Sequence, residues 1–485
     1  MRYYYTADQI RAAEAPLLAA LPDGALMRRA ATGLAHAIAT ELRERTGGVA
    51  GRRICAVVGS GANGGDALWA ATLLRRRGVA AAAILLDPQR THPGALSAFR
   101  SAGGQVTQTL TAATDLVIDG VVGISGQGPL RPAAAEVFAA AEAAGVAVVA
   151  VDVPSGIDVA TGSITGPAVH AALTVTFDGR KPVHALADCG RVEVVDIGLD
   201  LPPTPLMALD AADVRACWPV PGPLDDKYTQ GVVGILAGSA AYPGAAVLCT
   251  GAAVAATSGM VRYAGAAAAE VVAHWPEVVI APGPAAVGRV QAAGPAATGR
   301  VQAFVVGPGL GTDEAALETL THALRTDLPV IVDADGLTVL AAHPHLVLGR
   351  AAPTVLTPHA GEYARLAGEP PGVDRVAATR RLATTFGATV LLKGNVTVIA
   401  EAHSGQVYLN PAGGSWAATA GSGDLLSGII GALLAAGLPA ALAAAAAAFV
   451  HARAANISAA DPGPVSVPTS ASRILTHIRT AIASL

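Results

Sequence analysis

Cysteine is scarce in this 485-residue chain. There are four, Cys55, Cys189, Cys217 and Cys249, far apart and with no CxxC spacing. That excludes a disulfide framework and a thiolate zinc site, and leaves each as a small buried hydrophobe. Charge is also thin: charged residues make up 14% of the chain and the net charge is −4, with no basic block. A surface of that kind offers no electrostatic footprint for nucleic acid. The N-terminus, MRYYYTADQIRAAEAPLLAA, lacks a basic segment followed by a clean apolar one, so a secretory signal is not expected and a cytoplasmic location is. Long apolar runs are missing except for residues 432–450, which Gly437 and Pro439 interrupt. A buried helix pair fits that segment better than a membrane span.

What the chain does have is apolar residue, 52% of it and much of that alanine, which favours helix and fills cores without demanding area. The length suggests two domains or three. Strand-like and helix-like segments alternate in both halves, so α/β is expected throughout. Pro202, Pro203, Pro205, Pro219, Pro221 and Pro223 crowd one region. Proline stiffens a linker and blocks regular structure, which places a boundary near Trp218–Asp225 and gives domains 1–218 and 219–485. The alanine-rich helices offer flat packing surfaces, hence an expected homo-oligomer.

In the front half, Thr6 begins a T-x-x-Q capping box before Ile10, and a second amphipathic helix opens at Leu26. Arg53–Gly59 reads as a short buried strand running into Ser60-Gly61-Ala62-Asn63-Gly64-Gly65-Asp66-Ala67, then a helix. Strand, glycine turn, helix is the arrangement that presents backbone amides to a phosphate. The spacing is not G-x-G-x-x-G with an acid on the next strand, so an ordinary dinucleotide fingerprint is absent. The plainer alternative is a tight turn with Asp66 as a capping residue. Strands at 115–120 and 146–152 end in Asp119 and Asp152, and Ser155 follows the second. In a parallel sheet such ends share one edge, so Asn63, Asp119, Asp152 and Ser155 are expected in one crevice. Hard oxygen ligands there suit an alkali or alkaline-earth cation.

SGANGGDA, VIDGVVGISGQG and VDVPSGID, in this order, resemble the NAD(P)H-hydrate epimerase family, the YjeF N-terminal domain, over about Met1 to Trp218. The resemblance implies a Rossmann-like three-layer α/β/α fold. It implies interconversion of the R and S epimers of NADHX and NADPHX, the hydrated reduced nicotinamides. Substrate contacts would fall at Ala62, Asn63, Gly64, Gly65 and Asp66, at Gly123, Ile124, Ser125, Gly126, Gln127, Gly128 and Pro129, and at Asp152, which would also move a proton. Potassium ligands would be Asn63, Asp119 and Ser155. Two departures stand out: Ala62 replaces the first Asn of the family's N-N-G-G-D, and Gly123-Ile124-Ser125-Gly126 replaces its G-x-G loop.

The back half is organised around Asn410–Asp424, NPAGGSWAATAGSGD, which runs straight into the apolar helical stretch LLSGIIGALLAAG. Amides freed at a helix start form an anion site, and glycines let that backbone approach a phosphate. Asp424 at its mouth could take a proton from a hydroxyl, hold a metal, or simply cap the helix. Before it come FVVGPGLG, VIVDAD, VLTPHAGE and VLLKGNVT, read as strands that end in Gly307–Gly311, in acids, in His359 and in Lys393-Gly394. A lysine there can reach phosphate.

With YPGA, DADGL and AGSGD, these segments resemble the ADP- or ATP-dependent NAD(P)H-hydrate dehydratase family from about Lys227 onward. The resemblance implies a ribokinase-like α/β fold. Lys393, Gly394, Asn395, Val396, Thr397 and Gly423 would bind adenine nucleotide, ADP or ATP with magnesium. Ala245, Gly307, Gly309, Gly311, His359 and Asp424 would line the hydrated nicotinamide, with Asp424 as catalytic base. The family's NPGM-type segment is replaced by Gly414-Ser415-Trp416-Ala417. The expected whole is a bifunctional repair enzyme. Two rivals are a front half serving as a scaffold, which Ala62 favours, and a small-molecule kinase, which the epimerase-like half opposes.

Overall fold

The computed structural model describes residues 1–124, 126–283 and 301–485. It divides into two compact units, Tyr3–Thr204 and Pro205–Leu485, with Met1–Arg2 counted in the second. Each is a sheet with helices, so the α/β class expected for both halves holds.

Strand β1 (Arg2–Tyr3) is an edge strand of the second sheet. The first unit contains β2 (Arg53–Val58), β3 (Ala80–Leu85), β4 (Gln105–Thr107), β5 (Leu116–Gly120), β6 (Ala147–Val151), β7 (Leu173–Phe177) and β8 (Arg191–Val195). All pair parallel in the order β4-β3-β2-β5-β6-β7-β8. The order reverses at β2, so the crevice between the loops after β2 and β5 is where such sheets take ligands. The capping box is present: Thr6 Oγ1 accepts from the Gln9 amide at 3.3 Å, and Gln9 Oε1 from the Thr6 amide at 2.9 Å. It starts the helix Ala7–Ala20. The next helix, Ala25–Thr46, buries Leu26, Ala30, Leu34, Ile38 and Leu42. That four-residue spacing forms one face, and it packs on the helix Ala62–Arg75.

The second unit contains β9 (Leu206–Ala208), β10 (Val232–Leu236), β11 (Met260–Tyr263), β12 (Val279–Ile280), β13 (Ala303–Val306), β14 (Val330–Val332), β15 (Thr354–Leu356), β16 (Thr389–Leu392), β17 (Val396–Ala400) and β18 (Val407–Pro411). Their order is β1-β9-β18-β17-β16-β15-β14-β13-β10-β11-β12. The strands from β12 round to β16 are parallel, and β16-β17-β18 turn antiparallel. The central strands are buried along their whole length, which is why they read as unbroken apolar runs. Residues 390–397, read as one strand, are parts of two. Lys393–Asn395 forms the turn between β16 and β17, and the Lys393 and Gly394 positions stay at the strand end.

The helix Ser422–Ala435 lies backbone to backbone against the helix Pro243–Ala256. A Cβ on Gly428 would stand 2.2 Å from the Cys249 carbonyl oxygen. Gly437 and Pro439 break the chain as expected, and the helix Ala440–Ala460 follows. It is long and apolar enough to cross a membrane, yet most of it is buried inside the unit, as a core helix is.

The division between units falls at Thr204/Pro205, before the Trp218–Asp225 boundary that proline crowding suggests. β9 pairs with β18, and Trp218 is buried with its indole Nε1 donating to the Ala256 carbonyl oxygen at 3.1 Å. Proline marks where the chain is stiff, not which sheet it joins. A fragment 205–485 is therefore expected to melt on the order of 10 °C above a fragment 224–485, which lacks buried Leu206, Met207, Val214 and Trp218. Calorimetry on the two fragments checks this, and equal midpoints would show that the segment is dispensable.

Candidate active sites

In the first unit, the turn after β2 feeds the helix Ala62–Arg75 directly, placing Asn63 in its first turn and Asp66 in its second. Asp66 is therefore an interior helical residue, not a cap. A Cβ on Gly64 would stand 2.3 Å from the Gly59 carbonyl oxygen, and this close approach brings the helix start onto the sheet edge. Asn63 Nδ2 donates to the carbonyl oxygens of Val122 at 3.1 Å and Val151 at 2.6 Å, tying together the loops after β5 and β6.

Asp119 and Ser155 are fully buried and bonded to each other. Asp119 accepts from the Ser155 hydroxyl at 2.7 Å, the Ser155 amide at 2.8 Å and the Val121 amide at 3.2 Å. Burial pushes the Asp119 carboxyl up to about 6, against these three bonds.

Asp152 sits at φ +68°, the left-handed region that a non-glycine residue seldom adopts. Its surroundings fix it there. Asp152 Oδ1 accepts from Lys181 Nζ at 2.5 Å and from the Thr176 hydroxyl at 2.9 Å. Its carbonyl oxygen lies 2.8 Å from His184 Nε2. His184 Nδ1 accepts from the Lys181 amide, so Nε2 carries the proton and donates. Burial, then the Lys181 charge, lowers His184 to about 4 and keeps the ring neutral.

Ala62, Asn63, Asp66, Ile124 and Asp152 all line one cavity of about 260 Å³, where Glu14 and Lys181 join them. Gly126 and Gln127 line a neighbouring cavity of about 300 Å³ that shares Ile124. Gly64 and Gly65 serve helix packing, Gly123 lies against Asn63, and Pro129 packs on Gly166. Gly128 is at φ +73° on the exposed stretch beyond. Ser125 lies outside the described residues. Sequence reasoning missed Glu14, Thr176, Lys181 and His184. The signal for Lys181 was its place just past β7, on the same sheet edge as Asp152.

In the second unit, Gly421 caps the helix Ser422–Ala435 in the left-handed conformation, φ +81°, and Asp424 is its third residue. Burial, then the nearby charge of Asp333, pushes Asp424 up to about 7. Lys393 Nζ pairs with Asp333 Oδ1 at 2.8 Å and lies 3.5 Å from Glu362 Oε2. Burial lowers the Lys393 ammonium, but Asp333 and Glu362 outweigh it and the net shift is upward. Asp333 is fully engaged, since Oδ2 accepts from the Ser427 hydroxyl at 2.8 Å. Glu362 Oε2 accepts from the His359 amide at 2.7 Å, and His359 Nδ1 accepts from the Gly361 amide at 2.9 Å, a capping box on the helix Ala360–Ala367.

His359, Lys393, Gly394, Asn395, Thr397 and Gly423 line one cavity of about 330 Å³. Val396 does not, because its side chain is buried in β17. His359 thus stands with the residues expected for nucleotide, not with Ala245 and the glycine loop. Those form a second group: a Cβ on Gly309 would lie 2.7 Å from Ala245 Cβ, Gly307 abuts Asp333, and the Gly311 amide donates to Asp335 Oδ2 at 2.9 Å. Sequence reasoning also missed the buried pair Ser422 Oγ and His451 Nε2, 2.8 Å apart at the cavity wall. The only hint was one histidine in an alanine helix.

The chain is 72% identical to the bifunctional NAD(P)H-hydrate repair enzyme Nnr of Mycobacterium leprae (strain TN), over 100% of both chains. It belongs to the bifunctional NAD(P)H-hydrate repair enzymes. The counterpart from Mycobacterium tuberculosis (strain CDC 1551 / Oshkosh) is 73% identical, again over 100% of both chains. The NAD(P)H-hydrate dehydratase family matches residues 233–477, and the family described as YjeF-related protein N-terminus matches residues 23–183. Among solved structures, an ADP/ATP-dependent NAD(P)H-hydrate dehydratase from Bacillus subtilis, co-crystallized with ATP/Mg2+, is 27% identical. It covers 57% of this chain and 98% of its own, with a TM-score of 0.48. In this repair enzyme both matched regions carry a cavity at the strand ends with an acid beside it.

Proposed function

We propose that the second unit dehydrates the S hydrate of NADH or NADPH at the expense of an adenine nucleotide, and that the first unit interconverts the R and S hydrates. The carrying observation is the place of Asp424, in the first turn of the helix Ser422–Ala435 and next to Gly423, which lines the cavity with Lys393; burial and the charge of Asp333 push its carboxyl up to about 7. Hydroxide leaves C6 of the hydrated ring poorly. Asp424 takes the proton of that hydroxyl as its oxygen attacks the terminal phosphorus of the nucleotide, and the bond to the departing nucleotide breaks. The ring nitrogen's electrons then expel phosphate from C6, and loss of a C5 proton restores the dihydropyridine. The amides at the start of Ser422–Ala435 stabilise the transferred charge. The Lys393 ammonium, tied to Asp333 and Glu362, holds those two acids as much as it faces phosphate. Among the described residues no three acids or histidines form a metal cage, so magnesium would ride on the nucleotide phosphates. Mixing the chain with NADHX and ADP or ATP, and following the reduced-nicotinamide absorbance, tests this reading. No nucleotide-dependent rise would refute it.

For the first unit the potassium ligands would be Asn63, Asp119 and Ser155. Asp119 fits a monovalent cation, being a fully buried carboxylate whose partners are all neutral donors. Turned over, the Asn63 amide would present its oxygen beside the Val122 and Val151 carbonyls it now donates to. A bound cation would neutralise Asp119 and hold the loops around the cavity. Epimerisation of the R hydrate is expected to slow when potassium is replaced by tetramethylammonium, and Asp119→Ala is expected to remove that difference. Equal rates of the native chain in both salts would sink the cation assignment.

A further inference from the structure

We propose that Asp66 is a second proton-transfer residue of the front cavity, giving a proton to the oxygen that leaves C6 while Asp152 works at the same carbon. This rests on the epimerase reading above. Four ionisable side chains face the cavity: Glu14 from the helix Ala7–Ala20, Asp66 from Ala62–Arg75, Asp152 after β6 and Lys181 after β7. Asp152 is bound on one oxygen by Lys181 and Thr176. Asp66 is 6% exposed, and its Oδ1 has no hydrogen-bond partner among the described residues. A carboxylate buried without a partner is costly, and it is relieved by keeping its proton. Burial, then the charges of Asp152 and Glu14, hold Asp66 well above the usual carboxylate range. Glu14 is also raised by burial, but it is only half-buried and the Lys181 charge pulls it back. One protonated acid and one ion-paired carboxylate in a single cavity divide donor from acceptor.

The chemistry needs both. C6 carries the hydroxyl and is bonded to the ring nitrogen N1. The N1 lone pair forms the N1–C6 double bond as the C6–O bond breaks, and the Asp66 proton goes to the departing oxygen, giving water. C6 is then planar. Water adds to the opposite face, the double-bond pair returns to N1, and Asp152 takes the proton of the incoming water. One water leaves and one enters, and one proton passes from Asp66 to Asp152. The reverse epimerisation starts from the other protonation form, with Asp152 as donor, and solvent resets the pair.

The test uses the full chain with the R hydrate and no nucleotide, so that epimerisation alone consumes it, followed by chromatography. Dehydration of the S hydrate with nucleotide reports how much of the second unit is active, and the melting of the first unit against the native chain reports how much of that unit is folded. Asp66→Ala is expected to lose ~10²–10⁴-fold in epimerisation, with part of the rate restored in proportion to added formate. Asp66→Asn is expected to be as slow and not restored. Near-native epimerisation by Asp66→Ala overturns the proposal. So does a loss that formate leaves untouched, or a larger loss in Glu14→Gln than in Asp66→Ala. A native chain that does not epimerise refutes the parent reading instead, whatever the variants do.

Discussion

Asp424→Asn is expected to cut dehydration by ~10²–10⁴-fold, the usual cost of losing a general base, while adenine nucleotide still binds. The split follows from the geometry, since Gly423, Lys393 and Thr397 line the cavity and Lys393 is held by Asp333 and Glu362. The same residue sets a pH dependence. A base acts when deprotonated, and Asp424 is held near 7 by burial and by Asp333. Turnover of the native chain should therefore rise with pH through about 7 and level off above it. The residual turnover of the Asn variant should lack that limb. Steady-state rates across neutral pH, with nucleotide binding by calorimetry, decide the matter. Near-native turnover in the variant would remove Asp424 from the mechanism.

Lys181→Met is expected to give the largest loss of stability in the first unit. Lys181 and Asp152 are 1% and 6% exposed and 2.5 Å apart. Removing one partner of a buried pair leaves the other uncompensated, which costs about 3–5 kcal/mol, and water reaching Asp152 through the cavity would lower that. In a unit of this size the loss corresponds to a fall on the order of 10 °C in melting temperature. Removing both charges, as Lys181→Met with Asp152→Leu, should recover much of it. A single variant melting at the native temperature would show that Asp152 is well solvated without its lysine.

The parts of this chain legible in sequence are those written locally. An apolar run ending in an acid announced β5 with Asp119 and β6 with Asp152, because both the run and its end lie within a few residues. The Thr6 box was legible for the same reason. Of the four residues expected in one crevice, Asn63 and Asp152 line one cavity because parallel strands put their ends on one edge, whereas Asp119 and Ser155 are fully buried and are not among its lining residues. What sequence could not reveal is pairing across the fold. Lys393 looks like a phosphate ligand beside Gly394, but its ammonium rests on Asp333, at the end of β14, and on Glu362, in the first turn of the helix Ala360–Ala367. Lys181 reaches Asp152, and His451 reaches Ser422, from elements whose approach only tertiary packing defines. The compact units divide at Thr204/Pro205, ahead of the proline cluster, because β9 pairs with β18, a partner far away in sequence.

The contact between Ser422–Ala435 and Pro243–Ala256 carries a consequence for the base. Side chains between two helices have rotamers and can absorb a shift, but Gly428 meets the Cys249 carbonyl with nothing between. Main-chain atoms have no such slack. Asp424 lies one turn before Gly428, so its reach is gauged against a hard stop. The neighbouring helix acts as a fixed rail, and any bulk inserted along it becomes a wedge that displaces Asp424, the proposed base. The poverty in large side chains, which at first sight is only composition, is in this stretch the tolerance that sets where Asp424 stands.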